Sequence, residues 1–239
     1  MDYVLVHGTT QSPRGWERLA EALVRRGHRA VPVDLLQGGA DLDTDGYADL
    51  VARQVAADAG EPPAQEGAGG GSARGPVVVV HSGAGALASA VASRLGASRV
   101  VWLAAFVPDT IGRRSLLSEI QISAAEMFNP EWTGLAAPPT DDPVAAGYFL
   151  FHDGDLATLR WGLETVRLFQ PARVYAEPPR PLPQGVTSTY LLPVRDRTLR
   201  PEWMRAAAEI RLHTKAIEVD AGHCPHVSAP EEVASIIAG

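Results

Sequence analysis

The chain has 239 residues, of which 46% are hydrophobic and 21% are charged, a composition typical of a globular protein of one or two domains. The net charge of −7 argues against nucleic-acid binding, and a single cysteine excludes disulfides within the chain and multi-cysteine metal sites. No apolar run approaches the roughly 20 residues that span a bilayer, and the first residues lack the basic start of a signal peptide. We therefore predict a cytoplasmic protein that binds neither nucleic acid nor membranes.

Strand-like and helix-like segments alternate in chain order. Short apolar runs predict strands at residues 3–6, 29–34, 77–80, 99–105, 187–192 and 216–219. Apolar residues at helical spacing predict helices at residues 15–26, 47–58, 83–95 and 230–238. The four valines of residues 77–80 are typical of a strand that is buried on both faces. This alternation predicts an α/β fold, in which helices cover both faces of a parallel sheet.

Two segments interrupt the alternation. Residues 60–75 (GEPPAQEGAGGGSARG) have the composition of a flexible surface loop, and they lack the Lys-Ser/Thr pair that follows the glycines of a phosphate-binding loop. Residues 108–185 combine helical and Pro-rich pieces with many aromatic residues, between two predicted core strands. We predict that this insertion is a helical cap over a site, carried by a core of residues 1–107 and 186–239. A plain helical layer that fills the core is the alternative.

The segment from Val77 to Gly85 (VVVVHSGAG) indicates a nucleophilic serine. A predicted buried strand runs directly into Ser82, and small residues follow at the start of a helix. Such a tight strand-to-helix turn projects the serine side chain at the top of the sheet, and the free N–H groups of the helix suit a developing oxyanion. Val80 and Ala84 are departures from the usual Gly-x-Ser-x-Gly pattern.

The same residues permit two other interpretations. Residues 83–88 (GAGALA) match the Gly-x-Gly-x-x-Gly/Ala fingerprint of dinucleotide-binding proteins. That fingerprint requires an acidic residue at the end of the next strand, whereas residues 100–105 (VVWLAA) end without one and Asp109 comes only after a proline. The other alternative is that Ser82 is merely a small residue in a turn.

An acid and a histidine follow the serine in the chain order of α/β hydrolases. Asp196 lies in a loop directly after a predicted strand, and His223 follows another strand and a glycine turn. Both side chains are expected at the carboxyl ends of parallel strands, where such sheets build their sites. A serine hydroxyl needs a general base, and the base needs a partner that sets its tautomer, so we assign His223 as base and Asp196 as acid. Asp220 as the acid and His226 as the base are the alternatives.

Other candidate side chains are expected to have plainer roles. We expect His81 to pack beneath the serine turn and His7 to hydrogen-bond to loop backbone. His152 and Asp153 lie in the insertion, where they would contact a substrate or hold the cap in place. Cys224 follows the predicted base in sequence but would point elsewhere, so a cysteine nucleophile is not expected.

Two backbone N–H groups are predicted to form an oxyanion hole. Gly8 follows the first strand and lets the backbone turn, so that the N–H of Thr9 faces the site. The N–H of Gly83, directly after the serine, is the second predicted donor. The His-Gly pair at residues 7–8 is a weak signal alone, and it gains weight from the serine, acid and histidine that follow in order.

Six motifs carry a resemblance to a known family. They are VLVHG (residues 4–8), HSGAG (81–85), AAFVP (104–108), YFLFHD (148–153), RDRTLRPEW (195–203) and AGHCPHVSAPEE (221–232). Through them the chain resembles the α/β-hydrolase superfamily over essentially its full length. It looks most like the branch of plant methyl-ester esterases, hydroxynitrile lyases and bacterial pyrethroid-hydrolase-like esterases. The resemblance implies an eight-stranded-type sheet, a cap before the strand that starts near Thr187, the triad Ser82, Asp196 and His223, and no cofactor.

The resemblance also narrows the chemistry. Relatives with this fold that open epoxides or displace halide use an aspartate nucleophile, where this chain has Ser82. The hydroxynitrile lyases of this branch carry a lysine after the catalytic histidine, where this chain has Cys224. These differences argue against epoxide opening, halide displacement and cyanohydrin cleavage.

We predict a serine hydrolase that cleaves a small, largely apolar ester, or a thioester, lactone or amide, through an acyl-enzyme on Ser82. Phe106, Trp132, Tyr148 and Phe149 are the candidates for the wall of the substrate pocket, and no metal site is predicted. A cofactor-independent lyase, cyclase or rearrangement catalyst is the alternative, followed by a non-catalytic small-molecule-binding protein. A homodimer is left open, and the Ala-, Gly-, Arg- and Pro-rich composition fits a high-GC bacterial source.

Overall fold

A parallel sheet of six strands forms the centre of the computed structural model, which describes residues 1–39, 42–60 and 75–239. The strands are β1 (Asp2–Val6), β2 (Arg29–Val33), β3 (Val77–His81), β4 (Arg99–Leu103), β5 (Thr187–Pro193) and β6 (Ile217–Val219). They lie in the order β2-β1-β3-β4-β5-β6, and every neighbouring pair is parallel. The loop predicted at residues 60–75 lies, apart from its two ends, outside the described residues.

Each predicted strand is present, but the sheet is smaller than the family resemblance implies. The expectation of an eight-stranded-type sheet is wrong for the described residues, which form six strands. Strands β2 and β6 are the edges, and residues 108–185, the longest segment between two strands, form helices. Outside the six strands, the only β-pairing of the described residues is in isolated β-bridges, such as the one between Gln11 and Val166.

The described residues also form α-helices, which lie between the strands in chain order and after the last one. They are α1 (Glu17–Arg25), α2 (Thr44–Asp58), α3 (Ala88–Leu95), α4 (Leu116–Met127), α5 (Pro130–Thr133), α6 (Pro143–Leu150), α7 (Leu156–Thr165), α8 (Ala172–Ala176), α9 (Pro201–Arg211), α10 (Pro225–Ser228) and α11 (Pro230–Ala238). The sequence pattern does not predict α9 or α10. Within the described parts of the chain, no helix is long and apolar enough to cross a membrane.

The side chains of β3 divide the core into two layers. Val78 and Val80 pack on one face of the sheet with residues of α2 and α3, and Val77 and Val79 pack on the other with residues of α1 and α11. All four valines are at most 1% exposed. Full burial of such a side chain stabilises the fold by about 1.5–3 kcal/mol relative to exposure. The predicted α/β architecture is confirmed, and it places the carboxyl ends of the strands along one edge of the sheet.

Local signals specify the helices of the insertion at residues 108–185. The residue before each of α4, α5, α6 and α7 accepts a hydrogen bond from a backbone N–H of the first turn, which satisfies a group that the helix itself leaves unpaired. These capping residues are Ser115, Asn129, Asp142 and Asp155. The insertion is thus a set of short helices between β4 and β5, of which all but α8 begin with a side-chain cap. That it works as a cap stays a prediction.

Candidate active site

Ser82 lies at the turn between β3 and a short 3-10 helix, Ser82–Leu87. Its φ is 51°, in the left-handed region that residues with a side chain rarely adopt. Such a conformation persists only where the surrounding structure enforces it, and it occurs preferentially at functional sites. The backbone therefore makes a tight strand-to-helix turn at the serine.

Glycines around the turn allow segments of backbone to approach closely. A Cβ atom added to Gly85 would lie 1.8 Å from the carbonyl oxygen of Phe106, and one added to Gly8 would lie 2.8 Å from the Cβ of Ser82. These positions do not coincide with Val80, whose side chain is fully buried in the core. The valine at the position of the usual glycine therefore does not prevent the turn.

Three side chains form a continuous series of hydrogen bonds beyond the carboxyl ends of β3, β5 and β6. Nε2 of His223 lies 3.1 Å from Oγ of Ser82, and Nδ1 of His223 lies 2.7 Å from Oδ2 of Asp196. Ser82, His223 and Asp196 are 7%, 1% and 6% exposed, so bulk water has little access to these hydrogen bonds. The structure thus brings together the three residues predicted as nucleophile, base and acid.

Backbone groups hold the acid and the histidine in place. Oδ1 of Asp196 accepts hydrogen bonds from the N–H groups of Thr198 at 2.6 Å and Leu199 at 3.0 Å, which leaves Oδ2 for His223. Nε2 of His81 donates to the carbonyl oxygen of His223 at 2.9 Å. A carboxylate fixed at Nδ1 keeps the proton on that nitrogen and leaves Nε2 of the imidazole free to accept the serine proton.

The alternative acid and base lie elsewhere. The side chain of Asp220 is 80% exposed and forms an ion pair with Arg195 at 2.7 Å. His226 is buried, and its ring lies 4.3 Å from the ring of Trp16. Asp220 therefore faces solvent, and His226 packs behind the site.

Further buried histidines lie near the predicted base. Burial lowers the pKa of His226 to about 3 and the pKa of His7 to about 4, and together with neighbouring histidines it lowers the pKa of His81 well below its usual value. His7 accepts a hydrogen bond from the N–H of Leu35 and donates one to the carbonyl oxygen of Gly8, which is the predicted loop contact. These histidines are neutral at pH 7. Among the described residues, no cluster of His, Cys, Asp or Glu side chains has the arrangement of a metal site.

The two residues that carry the predicted oxyanion donors, Thr9 and Gly83, lie next to one another at the serine turn. Gly83 is in the first turn of the helix that begins at Ser82, where backbone N–H groups have no partner within the helix. A Cβ atom added to Gly83 would lie 2.3 Å from Oγ1 of Thr9. The N–H of Phe169, from the insertion, donates to the carbonyl oxygen of Thr9 at 2.6 Å and so holds the peptide between Thr9 and Thr10.

Tyr175 is a residue of this site that no sequence motif indicates. It lies on α8, and its hydroxyl is 2.8 Å from Oγ1 of Thr9 and would be 2.2 Å from a Cβ atom added to Gly83. Burial raises the pKa of Tyr175 to about 12, so the phenol is protonated at neutral pH. The two hydroxyls carry two protons and use one between them, which leaves one O–H of the pair to donate to a third group.

Phe106, one of the four predicted pocket residues, is tied to the serine turn by its backbone. Its N–H donates to the carbonyl oxygen of Ser82 at 3.1 Å. Its side chain lines a cavity together with Ala86, Leu116 and Val174, and Ser82 is not part of that lining. The structure therefore joins Phe106 to the serine through the backbone rather than through a shared pocket.

The other three predicted pocket residues form an aromatic cluster within the insertion. The ring of Phe149 packs edge-on against Trp132 at 5.3 Å and against Tyr148 at 4.9 Å. Phe149 is buried, whereas Tyr148 is 42% exposed and donates a hydrogen bond to Glu131. Phe149 also belongs to a buried apolar cluster with Cys224, next to His223 in sequence. Contact of this cluster with a substrate stays a prediction.

A family model decides between the interpretations of this site. Residues 3–236 match the model of the alpha/beta hydrolase family. The chain belongs to the alpha/beta hydrolase family. This membership favours the interpretation of residues 83–88 as part of a serine turn over their interpretation as a dinucleotide fingerprint. The position of Gly85 agrees with this, because Gly85 allows a close approach to the backbone of Phe106 in the protein itself.

Solved structures with the same alpha/beta hydrolase fold cover nearly the whole chain. A polyneuridine aldehyde esterase variant has a TM-score of 0.75 at 19% identity and covers 99% of this chain and 97% of its own. A methylesterase from Arabidopsis has a TM-score of 0.68 at 18% identity, with 100% and 97% covered. A pyrethroid hydrolase from Sphingobium faniae has a TM-score of 0.69 at 18% identity, with 100% and 96% covered. At these identities the likeness shows the fold.

These neighbours belong to the branch that the sequence motifs resemble, so the predicted family resemblance and α/β-hydrolase fold are confirmed. No curated protein matches the sequence significantly.

Proposed function

We propose that this alpha/beta hydrolase is a serine esterase that cleaves a small, largely apolar ester through an acyl-enzyme on Ser82. The observation that carries the proposal is the unbroken series of hydrogen bonds from Ser82 through His223 to Asp196. A serine hydroxyl is a weak nucleophile unless a base accepts its proton, and a base acts best when a third group fixes its tautomer. Both conditions are met by this arrangement.

In the first half-reaction, Oγ of Ser82 attacks the ester carbonyl carbon while Nε2 of His223 takes the serine proton. Asp196 stabilises the resulting imidazolium through Nδ1. The tetrahedral intermediate collapses when the bond to the alkoxy oxygen breaks, and His223 returns its proton to that leaving oxygen. The products of this half-reaction are the free alcohol and an ester between the acyl group and Ser82.

The carbonyl oxygen becomes negative as the tetrahedral intermediate forms. In this proposal the N–H groups of Thr9 and Gly83 donate to it, and the positive end of the helix that begins at Ser82 adds to the stabilisation. Loss of one such donor typically costs about 2.7–4 kcal/mol of transition-state stabilisation. The free O–H of the Thr9–Tyr175 pair is a further donor at the same place.

In the second half-reaction, water attacks the acyl-enzyme. His223 takes a proton from the water, and the tetrahedral intermediate releases the carboxylic acid as Ser82 recovers its proton from His223. One oxygen atom of the acid product therefore comes from solvent water.

Two observations support an ester as the substrate. Ser82, His223 and Asp196 are largely buried, and a buried site favours an uncharged substrate over a charged one, because burying an unpaired charge is costly. The structural neighbours are named an esterase, a methylesterase and a pyrethroid hydrolase.

The decisive experiment is intact-mass analysis after reaction with a fluorophosphonate probe, together with hydrolysis of p-nitrophenyl acetate and butyrate. We expect one adduct on Ser82 in the wild type and none in Ser82→Ala, with kcat lowered by several powers of ten, up to about a millionfold. Ser93→Ala, an exposed serine on α3, is the matched control and should react as the wild type does.

Two outcomes would contradict the proposal. Ester turnover that survives Ser82→Ala would show that another group is the nucleophile. Turnover in ¹⁸O-labelled water that gives product without the label would exclude hydrolysis and favour the cofactor-independent lyase or cyclase alternative.

A further inference from the structure

Two adjacent residues of the insertion, His152 and Asp153, contact the two loops that carry the predicted acid and base. They lie between α6 and α7, outside the series of hydrogen bonds that begins at Ser82. We propose that His152 and Asp153 are positioning residues that hold these two loops at the spacing that lets His223 bridge Ser82 and Asp196. This inference rests on the proposed function.

Asp153 holds the loop that carries the base. Its Oδ2 accepts a hydrogen bond from the N–H of Gly222 at 2.7 Å and another from Oγ of Ser228 at 2.6 Å. Gly222 directly precedes His223, and Ser228 is the last residue of α10. One carboxylate oxygen therefore ties down both ends of the segment that presents His223.

His152 holds the loop that carries the acid. Its Nε2 donates to the carbonyl oxygen of Arg195 at 2.9 Å, and Arg195 directly precedes Asp196. The N–H of Arg195 in turn donates to the carbonyl oxygen of Ala221 at 3.0 Å. The acid loop is thus bound to the insertion on one side and to the base loop on the other.

Gly222 is the point at which these contacts converge. A Cβ atom added there would lie 2.7 Å from Oδ1 of Asp153 and 2.9 Å from Nε2 of His152. Both distances are shorter than real Cβ contacts, so a side chain at position 222 would push the insertion away from the base loop. The glycine lets the two loops and the two insertion side chains share one small volume.

The loop that bears His152 and Asp153 is itself anchored. Phe151 is 1% exposed, and it belongs to one buried apolar cluster with Leu150, Cys224 and Val227. On the other side, Asp155 caps α7 through the N–H of Thr158 at 2.8 Å. The two positioning residues therefore project from a fixed part of the insertion, as positioning of a catalytic group requires.

The sensitivity of catalysis to position makes the proposal testable. A displacement of a reacting group by about 1 Å can cost about a hundredfold in rate. Asp153→Ala removes the acceptor for two hydrogen bonds and should lower the rate constant for fluorophosphonate labelling of Ser82 by about tenfold to a hundredfold. The pH dependence of that rate should also change, because a displaced His223 no longer hydrogen-bonds to both Ser82 and Asp196.

Conservative variants separate positioning from simple stability. Asp153→Asn keeps one side-chain oxygen that can accept both hydrogen bonds, so its Ser82 should be labelled within about threefold of the wild-type rate. For the same reason, the labelling rate of His152→Gln, which keeps a side-chain N–H donor, should exceed that of His152→Ala. The matched control is Asp155→Ala, two residues away, which removes a helix cap without touching either loop. It should lower Tm yet leave the labelling rate per folded molecule unchanged.

A second measurement does not depend on any reaction. The proton shared by Nδ1 of His223 and Asp196 gives a far-downfield proton NMR signal when the pair is in place. That signal should persist in wild type, Asp153→Asn and Asp155→Ala, and be lost or broadened in Asp153→Ala.

The outcomes distinguish this inference from the proposed function. A wild-type protein that shows the shared-proton signal but no labelling of Ser82 contradicts the esterase proposal and leaves the positioning role to be decided by the NMR comparison. A folded Asp153→Ala variant with wild-type labelling rate, pH profile and NMR signal would overturn the positioning role.

Discussion

Ser82 has a positive φ, a backbone conformation that glycine adopts far more readily than residues with a side chain. Strain of this kind costs about 1–3 kcal/mol and must be offset by the surrounding packing. Here the turn is enclosed by Gly8 on one side and by the hydrogen bond from Phe106 N–H on the other. The conformation of Ser82 therefore depends on tertiary contacts rather than on a local preference of serine.

Tyr175 supports a prediction at the scale of one hydroxyl group. Tyr175→Phe keeps the ring but removes the hydroxyl that pairs with Oγ1 of Thr9, so the remaining Thr9 hydroxyl is no longer held in place. We expect kcat/KM for p-nitrophenyl esters to fall roughly tenfold, the effect of one hydrogen bond to a charged group. Tyr3→Phe is the matched control, because Tyr3 lies near the amino end of β1 and its hydroxyl donates to the carbonyl oxygen of Ile237 in α11. Equal kinetics in Tyr175→Phe and the wild type would show that the Tyr175 hydroxyl does not reach the reacting oxygen.

At the scale of the element, the 3-10 helix Ser82–Leu87 depends on its approach to the backbone after β4. Gly85→Ala places a methyl group 1.8 Å from the carbonyl oxygen of Phe106, which is backbone and cannot rotate away. We expect a loss of about 1–3 kcal/mol or more in the free energy of unfolding, together with loss of fluorophosphonate labelling, because the serine turn is displaced. Urea denaturation and labelling rates measure the two effects.

Gly134→Ala is the matched control for this substitution. A Cβ atom at that position would lie 3.5 Å from its nearest neighbour, the carbonyl oxygen of Pro130, an ordinary contact. It should leave both the urea midpoint and the labelling rate near their wild-type values. Wild-type behaviour of Gly85→Ala would contradict the packing described for the serine turn.

The insertion is the other element on which the site depends. It supplies Phe169 to the carbonyl oxygen of Thr9, Tyr175 to the Thr9 hydroxyl, and His152 and Asp153 to the loops of the acid and base. These contacts reach Thr9 and the residues that directly precede Asp196 and His223. The insertion therefore does more than cover the sheet, because it also supplies hydrogen bonds to the candidate site.

At the scale of the whole molecule, buried histidines link stability to pH. Burial lowers the pKa of His226 to about 3 and that of His7 to about 4, both below the usual 6.5, and burial together with neighbouring histidines lowers the pKa of His81 well below that value. Below pH 6.5 the unfolded chain takes up protons that the folded chain refuses, so the free energy of unfolding falls as the pH falls. Each such histidine contributes about 1.4 kcal/mol per pH unit within its window.

We therefore expect the urea midpoint to fall steeply between pH 7 and pH 5, before most carboxylates titrate. His226→Phe should make this dependence shallower, because one of the three buried histidines whose pKa is lowered no longer titrates in the unfolded state. His213→Asn is the control, since His213 is exposed and has the positive φ that asparagine tolerates. An unchanged slope in His226→Phe would show that His226 is not held neutral in the folded protein.

Much of the fold is readable from short segments. The valines of β3 indicate a strand buried on both faces, and the strand is where the pattern places it. The order of Ser82, Asp196 and His223 indicates a common site because each follows a strand, and parallel strands end at one edge of the sheet. The apolar runs indicate the six strands that the described residues form, and the expectation of a larger sheet came only from the family resemblance.

The sequence by itself determined the α/β pattern, the serine turn after β3 and the chain positions of the acid and the histidine, since these depend on local patterning and on strand order. Only the tertiary structure decided that Asp196 rather than Asp220 faces His223, that Tyr175 meets Thr9 across 166 residues of chain, and that His152 and Asp153 hold both loops. The physical reason is that hydrogen bonds between distant segments depend on how the insertion packs against the core. The spacing of residues within one segment does not indicate how the insertion packs against the core.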